Sequence, residues 1–266
     1  MGYKGRDVEV SDIDDQTFLV VACDSCGGIG EKDYDEIKVP AQLVGRLTMR
    51  VALMEMIAVA AIPKILTVTI SNEPDPTGTK ILSGINAELE AADFVNLPCS
   101  ISTEKNIPTR QTGLGISIVG TCLKENLKIA QSNSGNYVYC LGIPKFGKEL
   151  TSEDDPEIAQ VKHLKTLNQK PNIHDILPIG SRGILEEVNQ LAKQADCHFV
   201  QNDHPIDIKK SAGPSSCIIF TTSDIIPDLF MESLPVTKIG RLISNESKNI
   251  KIKKGVSYEP VINRRS

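Results

Sequence analysis

The sequence predicts an α/β or α+β protein, and three observations carry that reading. Short, apolar, β-branched runs alternate with segments of helical periodicity. The alternation runs through both halves of the chain. No internal repeat is visible, so a repeat architecture is not expected.

Taken in order, residues 18–23 read as a buried strand that runs into the glycine-rich stretch 24–32, Asp-Ser-Cys-Gly-Gly-Ile-Gly-Glu-Lys. From 41 to 61, Leu43, Val44, Leu47, Val51, Met54, Ala58 and Ala61 recur at spacings of three and four, which predicts a helix with one apolar face, ended by Pro63. Residues 64–70 read as a strand. A turn-rich stretch, 72–78, then introduces a second helix through Leu82, Ile85, Leu89 and Ala92, with Thr77 or Thr79 as its cap. Strands are expected at 115–122 and 137–142. Beyond Pro144 the composition shifts to charged and small residues, so the domain boundary is placed at 150, dividing the chain into 1–150 and 151–266. In the second half, 182–195 is an amphipathic helix capped by Ser181, and 198–200, 216–221 and 238–243 read as strands.

Composition narrows the function. Apolar residues at 40% and charged residues at 24% describe a globular chain rather than a disordered one. The longest apolar run, 56–62, falls far short of the ~20 residues of a membrane helix. The first residues lead into acidic ones, not into the apolar core of a secretion signal. Aromatics are scarce and Trp is absent, which disfavours a stacking platform for single-stranded nucleic acid. Neither membrane nor nucleic acid is an expected partner. Seven cysteines, five of them inside apolar runs, read as reduced thiols of a cytoplasmic protein. The last 30 residues carry eight basic and two acidic side chains, leaving −11 on the rest; this tail is either a solvated end or a contact for phosphate.

Five features could carry chemistry. Gly27, Gly28, Gly30 and Lys32 follow the carboxylate of Asp24, and such a loop is either a tight turn or a cradle for phosphate with a magnesium ligand beside it. Cys23 and Cys26 form a C-x-x-C spacing, which allows a redox pair. Glu55 interrupts an apolar helical run, so it either reaches water or meets a partner. Residues 102–110 concentrate Glu104, Asn106 and Arg110 in a polar loop, either solvated or functional. Residues 174–183 place His174, Asp175, Ser181 and Arg182 before a helix, where backbone donors and a cation suit a phosphate or hydroxylated substrate, or serve as an ordinary helix start.

The order of these pieces resembles the aminoimidazole-ribonucleotide-synthetase-like superfamily, which includes thiamine-monophosphate kinase, selenophosphate synthetase and the hydrogenase-maturation dehydratase. Its helix motif, Asn-Asp-x-x-Ala-x-Gly-Ala-x-Pro, falls at Met54-Glu-Met-Ile-Ala-Val-Ala-Ala-Ile-Pro63, where Ala58, Ala61 and Pro63 match, Glu55 replaces the family Asp and Met54 the Asn. The family's Gly-Gly-Asp-Thr loop falls at Ser102-Thr-Glu104, and its C-terminal Asp-x-Thr-Gly-Gly-Gly turn at 175–183. The strings ACDSCGGIGEKD, STEKN and HDILPIGSRG look most like the α-ribazole kinases of cobalamin lower-ligand salvage. This resemblance implies a two-domain fold: an N-terminal ATP- and magnesium-binding domain that pairs with a second copy through a shared barrel, and a shortened C-terminal α/β domain closing the site. It implies phosphorylation of a nucleoside 5′-hydroxyl. Asp24, Glu55, Glu104 and Asp7 would hold magnesium. Gly27, Gly28, Gly30 and Lys32 would contact phosphates, with Asn106 and Arg110 as further nucleotide contacts. Asp175, Ser181 and Arg182 would face the acceptor, and Asp24 or Asp175 would take its proton. Thiamine-monophosphate kinase, or a nucleotide-binding regulator that has lost catalysis, are the alternatives.

Overall fold

The computed structural model describes residues 2–150, 152, 154–226 and 234–245. The chain order is β1 (Val8–Asp12), β2 (Thr17–Gly27), two short strands β3 (Ile29–Gly30) and β4 (Ile37–Lys38), α1 (Ala41–Ala58), β5 (Ile62–Ile70), α2 (Thr79–Ala91), β6 (Cys99–Thr103) and β7 (Gly113–Leu123). It continues with β8 (Tyr137–Leu141), α3 (Val161–Asn168), β9 (Ile173–Pro178), α4 (Gly183–Gln194), β10 (Cys197–Gln201), β11 (Ile218–Thr222) and β12 (Val236–Ser244).

Two five-stranded sheets result. The first has the order β1-β2-β7-β5-β6, antiparallel except for the β5/β6 pair. The second, β10-β12-β8-β11-β9, is antiparallel throughout. The change of sheet falls between Leu123 and Tyr137, ahead of the expected boundary at 150. The compositional shift after Pro144 marks the connection from β8 to α3, and β8 already belongs to the second sheet. The basic tail from 246 onward lies outside the described residues.

Helix α1 lies between the two sheets, and this accounts for its burial on nearly every side. Along β8 and β11 the side chains alternate. Val138, Cys140 and Ile219 join the core under α4, while Tyr139, Leu141, Ile218 and Phe220 join the core that contains α1. A single apolar face was expected of α1, but a helix held between two layers is covered on nearly every side, with a partly open stripe through Leu43, Leu47 and Val51. It ends at Ala58, with Val59 as its C-cap, and Pro63 already lies inside β5. Helix α2 crosses α1 where both carry glycine: a Cβ on Gly84 would stand 1.8 Å from the Gln42 carbonyl oxygen, and one on Gly45 2.1 Å from that of Ile81. The caps differ from expectation. Gly78 precedes α2 and Arg182 precedes α4, neither making a side-chain cap. The Thr77 hydroxyl instead donates to Glu73.

Candidate active site

A cavity of about 620 Å³ opens between the two halves. Its floor is one stripe of α1: Leu43, Leu47, Val51 and Glu55, in steps of four, which places them on one face. The apolar stripe that reads as core packing in the sequence is therefore a cavity wall, and the charge that interrupts it closes the wall at one end. Strand β2 brings Asp24 and Cys26 to the same space, and Ile29, Ile37 and Val39 extend its apolar side. From the second half come Gly180 and Ser181 after β9, the turn Ser211 to Ser215 before β11, and Phe146 and Leu150.

Asp7 reaches the cavity because the N-terminal segment is strapped to the second half. Gln190 and Gln194 of α4 donate their side-chain amides to the carbonyls of Gly5 and Lys4. The buried Arg6 guanidinium donates to the Ile176 carbonyl on β9. These ties fix the residue next to Arg6 at the junction.

The electrostatics at this end are unusual. Glu55 is 7% exposed. Among the described residues it accepts no hydrogen bond and forms no ion pair. Burial pushes its carboxyl up to about 8; Arg6 opposes the shift, while Asp7, Glu187 and Asp24 add to it. Asp24 is raised to about 6, chiefly by burial, against a hydrogen bond from the Ser25 backbone and with a further push from Asp7. Glu187 on α4 is raised as well, by burial first.

Among the described residues, no three His, Cys, Asp or Glu side chains form a ready-made metal cage. Magnesium does not require one, since it is commonly held by one or two carboxylates together with phosphate oxygens and water. An unpartnered buried Glu55 beside Asp24 and Asp7 is an all-oxygen donor set of that kind. Glu104 does not fit with them. Its carboxylate accepts the backbone N–H groups of Asn106 (2.7 Å) and Ile107 (3.1 Å), folding its own turn, and it is not on the cavity wall.

Other expected residues fall elsewhere. Gly27 ends β2 in register with Gly113, leaving open space where a Cβ would be. The Gly28 N–H is used on the Thr112 carbonyl (2.9 Å). At Gly30, with φ +152°, a Cβ would collide with the Thr112 hydroxyl and crowd Asp35. Asp35 accepts from the Thr112 N–H and hydroxyl and from the Lys32 N–H, so this loop is pinned from within. Lys32 is ion-paired to Glu73 at 2.5 Å. Gly27, Gly28, Gly30 and Lys32 border the cavity segment but do not line it. Asn106 and Arg110 are exposed on the outer loop, and Arg110 donates to the Tyr34 hydroxyl (2.8 Å).

Asp175 is a strand residue, not part of a turn, and it is 1% exposed. It accepts from the backbone N–H groups of Gln131 (3.0 Å) and Ser132 (2.8 Å), and Arg6 stands 3.8 Å from its other oxygen. It ties the connection between the sheets to β9 and does not face the cavity, as His174 beside it does not. Arg182 is held by Glu187 (2.8 Å), whereas Ser181 does line the cavity. Strand alternation sends Cys23 and Cys26 to opposite faces of β2, so they cannot pair with each other. Sequence reasoning missed Arg6, Asp35, Glu187 and Phe146. Arg6 and Asp35 act through partners far away in the chain, and only the regular spacing from Leu43 to Glu55 could have signalled the wall.

No protein-family model matches the chain, and no curated protein matches it. Solved structures do. AaThiL complexed with AMPPCP and TMP superposes with a TM-score of 0.62 at 16% identity, over 91% of this chain and 85% of that one. Hydrogenase maturation protein HypE in complex with ATP gives 0.61 at 10% identity, over 85% and 78%. The chain has the aminoimidazole-ribonucleotide-synthetase-like fold. Thiamine-monophosphate kinase from Stenotrophomonas maltophilia K279a shares that fold too, at 0.61 and 16% identity, over 90% of this chain and 89% of that one. In the aminoimidazole-ribonucleotide-synthetase-like fold seen here, the cavity lies where the two sheets meet across α1. No described helix is long and apolar enough to cross a membrane.

Proposed function

We propose that the protein is an ATP- and magnesium-dependent kinase that phosphorylates the 5′-hydroxyl of α-ribazole. One observation carries this reading: an unpartnered buried carboxylate, Glu55, stands with Asp24 and Asp7 at the closed end of an otherwise apolar cavity. Phosphoryl transfer asks for positioning and charge neutralisation rather than covalent chemistry, and a magnesium ion held at such an end would supply the neutralisation. Asp24, Glu55 and Asp7 would hold magnesium, which neutralises phosphate charge when bound. Asp24, raised by burial to about 6, is a stronger base than an ordinary carboxylate and still ionised at neutral pH, and would accept the hydroxyl proton. Gly27, with open space at its Cα, is where a phosphate oxygen would approach the backbone. The neighbouring folds crystallised with ATP or AMPPCP support the nucleotide. Thiamine monophosphate is the second acceptor to consider, because kinases of that name share the fold. The reading places the protein in the cytoplasm, where ATP and reduced thiols coexist.

The test is ADP formation with magnesium-ATP and each acceptor. α-Ribazole should support turnover, and Asp24→Asn should lower it ~10²-fold or more. Turnover with thiamine phosphate alone would move the assignment to that acceptor, and binding of ATP without turnover on either would leave a regulator.

The same reading includes a homodimer. The helices cover one face of the first sheet, and the other face exposes Ile65 and Leu123, both at 48%. Such a face suits a second copy of the sheet. Light scattering should give twice the chain mass at micromolar concentration; a monomer there would refute the pairing.

A further inference from the structure

The kinase reading leaves open what the apolar part of the cavity selects, and Phe146 bears on that question. Phe146 belongs to the second half and lines the cavity opposite the α1 stripe, yet it is 49% exposed. Its ring is thus half uncovered at the mouth of an apolar space. An incoming apolar surface would cover it, which is the gain such exposure leaves available.

The segment that carries Phe146 is tied down on both sides. At its root, the Lys145 N–H donates to the Ser216 hydroxyl (2.8 Å), which in turn donates to the Lys145 carbonyl (2.9 Å). The Lys145 ammonium pairs with Asp155 (2.7 Å) and Glu157 (2.6 Å). Beyond the ring, Glu149 pairs with Lys210 (2.7 Å), which comes from the stretch leading to the Ser211 turn. Phe146 is therefore presented by a fixed segment rather than by a loose one.

Charge adds a second selection. Among the described residues no Lys or Arg lines the cavity. Two cations next to lining residues are held by other partners, Arg6 by Ile176 and Asp175 and Arg182 by Glu187. The polar side chains that line the cavity from the second half are the uncharged Ser181, Ser211 and Ser215, and Ser215 is 1% exposed. Without magnesium, an anionic ligand would meet carboxylates at one end and aliphatic side chains at the other. Burying a charge without a partner is strongly unfavourable.

We propose that Phe146 is the specificity-determining cover of this cavity, which admits an uncharged ring and rejects the same ring bearing an anionic group. The proposal rests on the kinase reading for its biological setting, but the cavity's selectivity can be measured without turnover.

The experiment uses two fluorescent probes of equal ring size on the full ligand-free chain. N-phenyl-1-naphthylamine is uncharged, and 8-anilinonaphthalene-1-sulfonate adds a sulfonate. The uncharged probe should bind ~10-fold or more tightly than the sulfonate, and Phe146→Ala should weaken it ~10-fold. Phe146→Leu should recover part of that loss. Leu47→Arg, on the opposite wall, should abolish binding; if that variant does not fold, the Phe146 pair decides alone, because an exposed side chain is a safe place to truncate. Equal affinity for both probes, or indifference to Phe146→Ala, overturns the proposal. With α-ribazole as acceptor, Phe146→Ala should raise the acceptor KM and leave the ATP KM unchanged. Absence of turnover in the wild type would remove the kinase reading while leaving the probe result intact.

Discussion

Helix α1 takes part in two very different burials of a glutamate. On the side facing α2, Glu88 is 2% exposed and accepts a bidentate pair from Arg50 of α1 at 2.9 Å and 2.9 Å, with Arg46 adding a contact at 3.2 Å. On the side facing the cavity, Glu55 is nearly as buried and has no partner among the described residues. The two carboxylates look alike in burial and differ in what surrounds them. A buried charge whose lone pairs are filled belongs to the architecture. One whose lone pairs are empty costs stability until something arrives to fill them, and so marks a site.

Neutralising each carboxylate separates the two roles, and Glu88→Gln should show the largest effect. It takes from the buried Arg50 guanidinium the carboxylate that accepts from it twice, and breaking such a pair costs about 3–5 kcal/mol. Urea unfolding at neutral pH should show this loss. A change below ~1 kcal/mol would mean that the α1–α2 contact is held by its glycine crossing alone. Glu55→Gln should do the reverse. In ligand-free protein it removes a carboxyl that burial keeps protonated up to about 8 while the unfolded chain ionises it, and should raise the melting temperature by ~2–4 °C, while turnover falls ~10²-fold. A Glu55→Gln protein that is both less stable and fully active would place Glu55 with Glu88 and dissolve the comparison.

The same contrast shows what was legible in the sequence. Strand β2, helix α1 and the alternation of elements could be read, because apolar spacing is a local signal. Glu55 stood out for the same reason, as a charge inside an apolar run. Whether it had a partner could not be read, since the partner of Glu88 lies 38 residues away along the chain and nothing near either residue announces the pairing. Asp175 and Glu104 matched family positions by order along the chain, yet one is locked under β9 and the other folds its own turn. Their roles depend on which way a strand or loop presents them, and the short strands β6 and β9 were not visible in the periodicity. Phe146 lay in a stretch whose polar composition suggested a linker, and only tertiary ties such as Lys210 to Glu149 turn that stretch into a cavity wall.

The smallest expected effect concerns a buried group with half its hydrogen bonds, midway between Glu88 and Glu55. His163 on α3 is 6% exposed; its Nδ1 accepts the Gln160 N–H at 3.0 Å, and its Nε2 is buried with no partner. Burial lowers its pKa from 6.5 to about 4, with Lys162 and Arg50 adding to the shift. The unfolded chain therefore binds a proton that the folded chain refuses between those two values. Stability contributed by the neutral ring is fully present above about pH 6.5 and declines as pH falls toward 4. His163→Gln keeps an acceptor for the Gln160 N–H and cannot be protonated. Urea midpoints measured at pH 7, 5.5 and 4.5 should converge for the two proteins as pH falls, the wild type losing more. Parallel acid limbs would mean that the ring is protonated in the folded state. α3 would then have to accommodate a cation beside Arg50, and that is the arrangement the unpartnered Nε2 argues against.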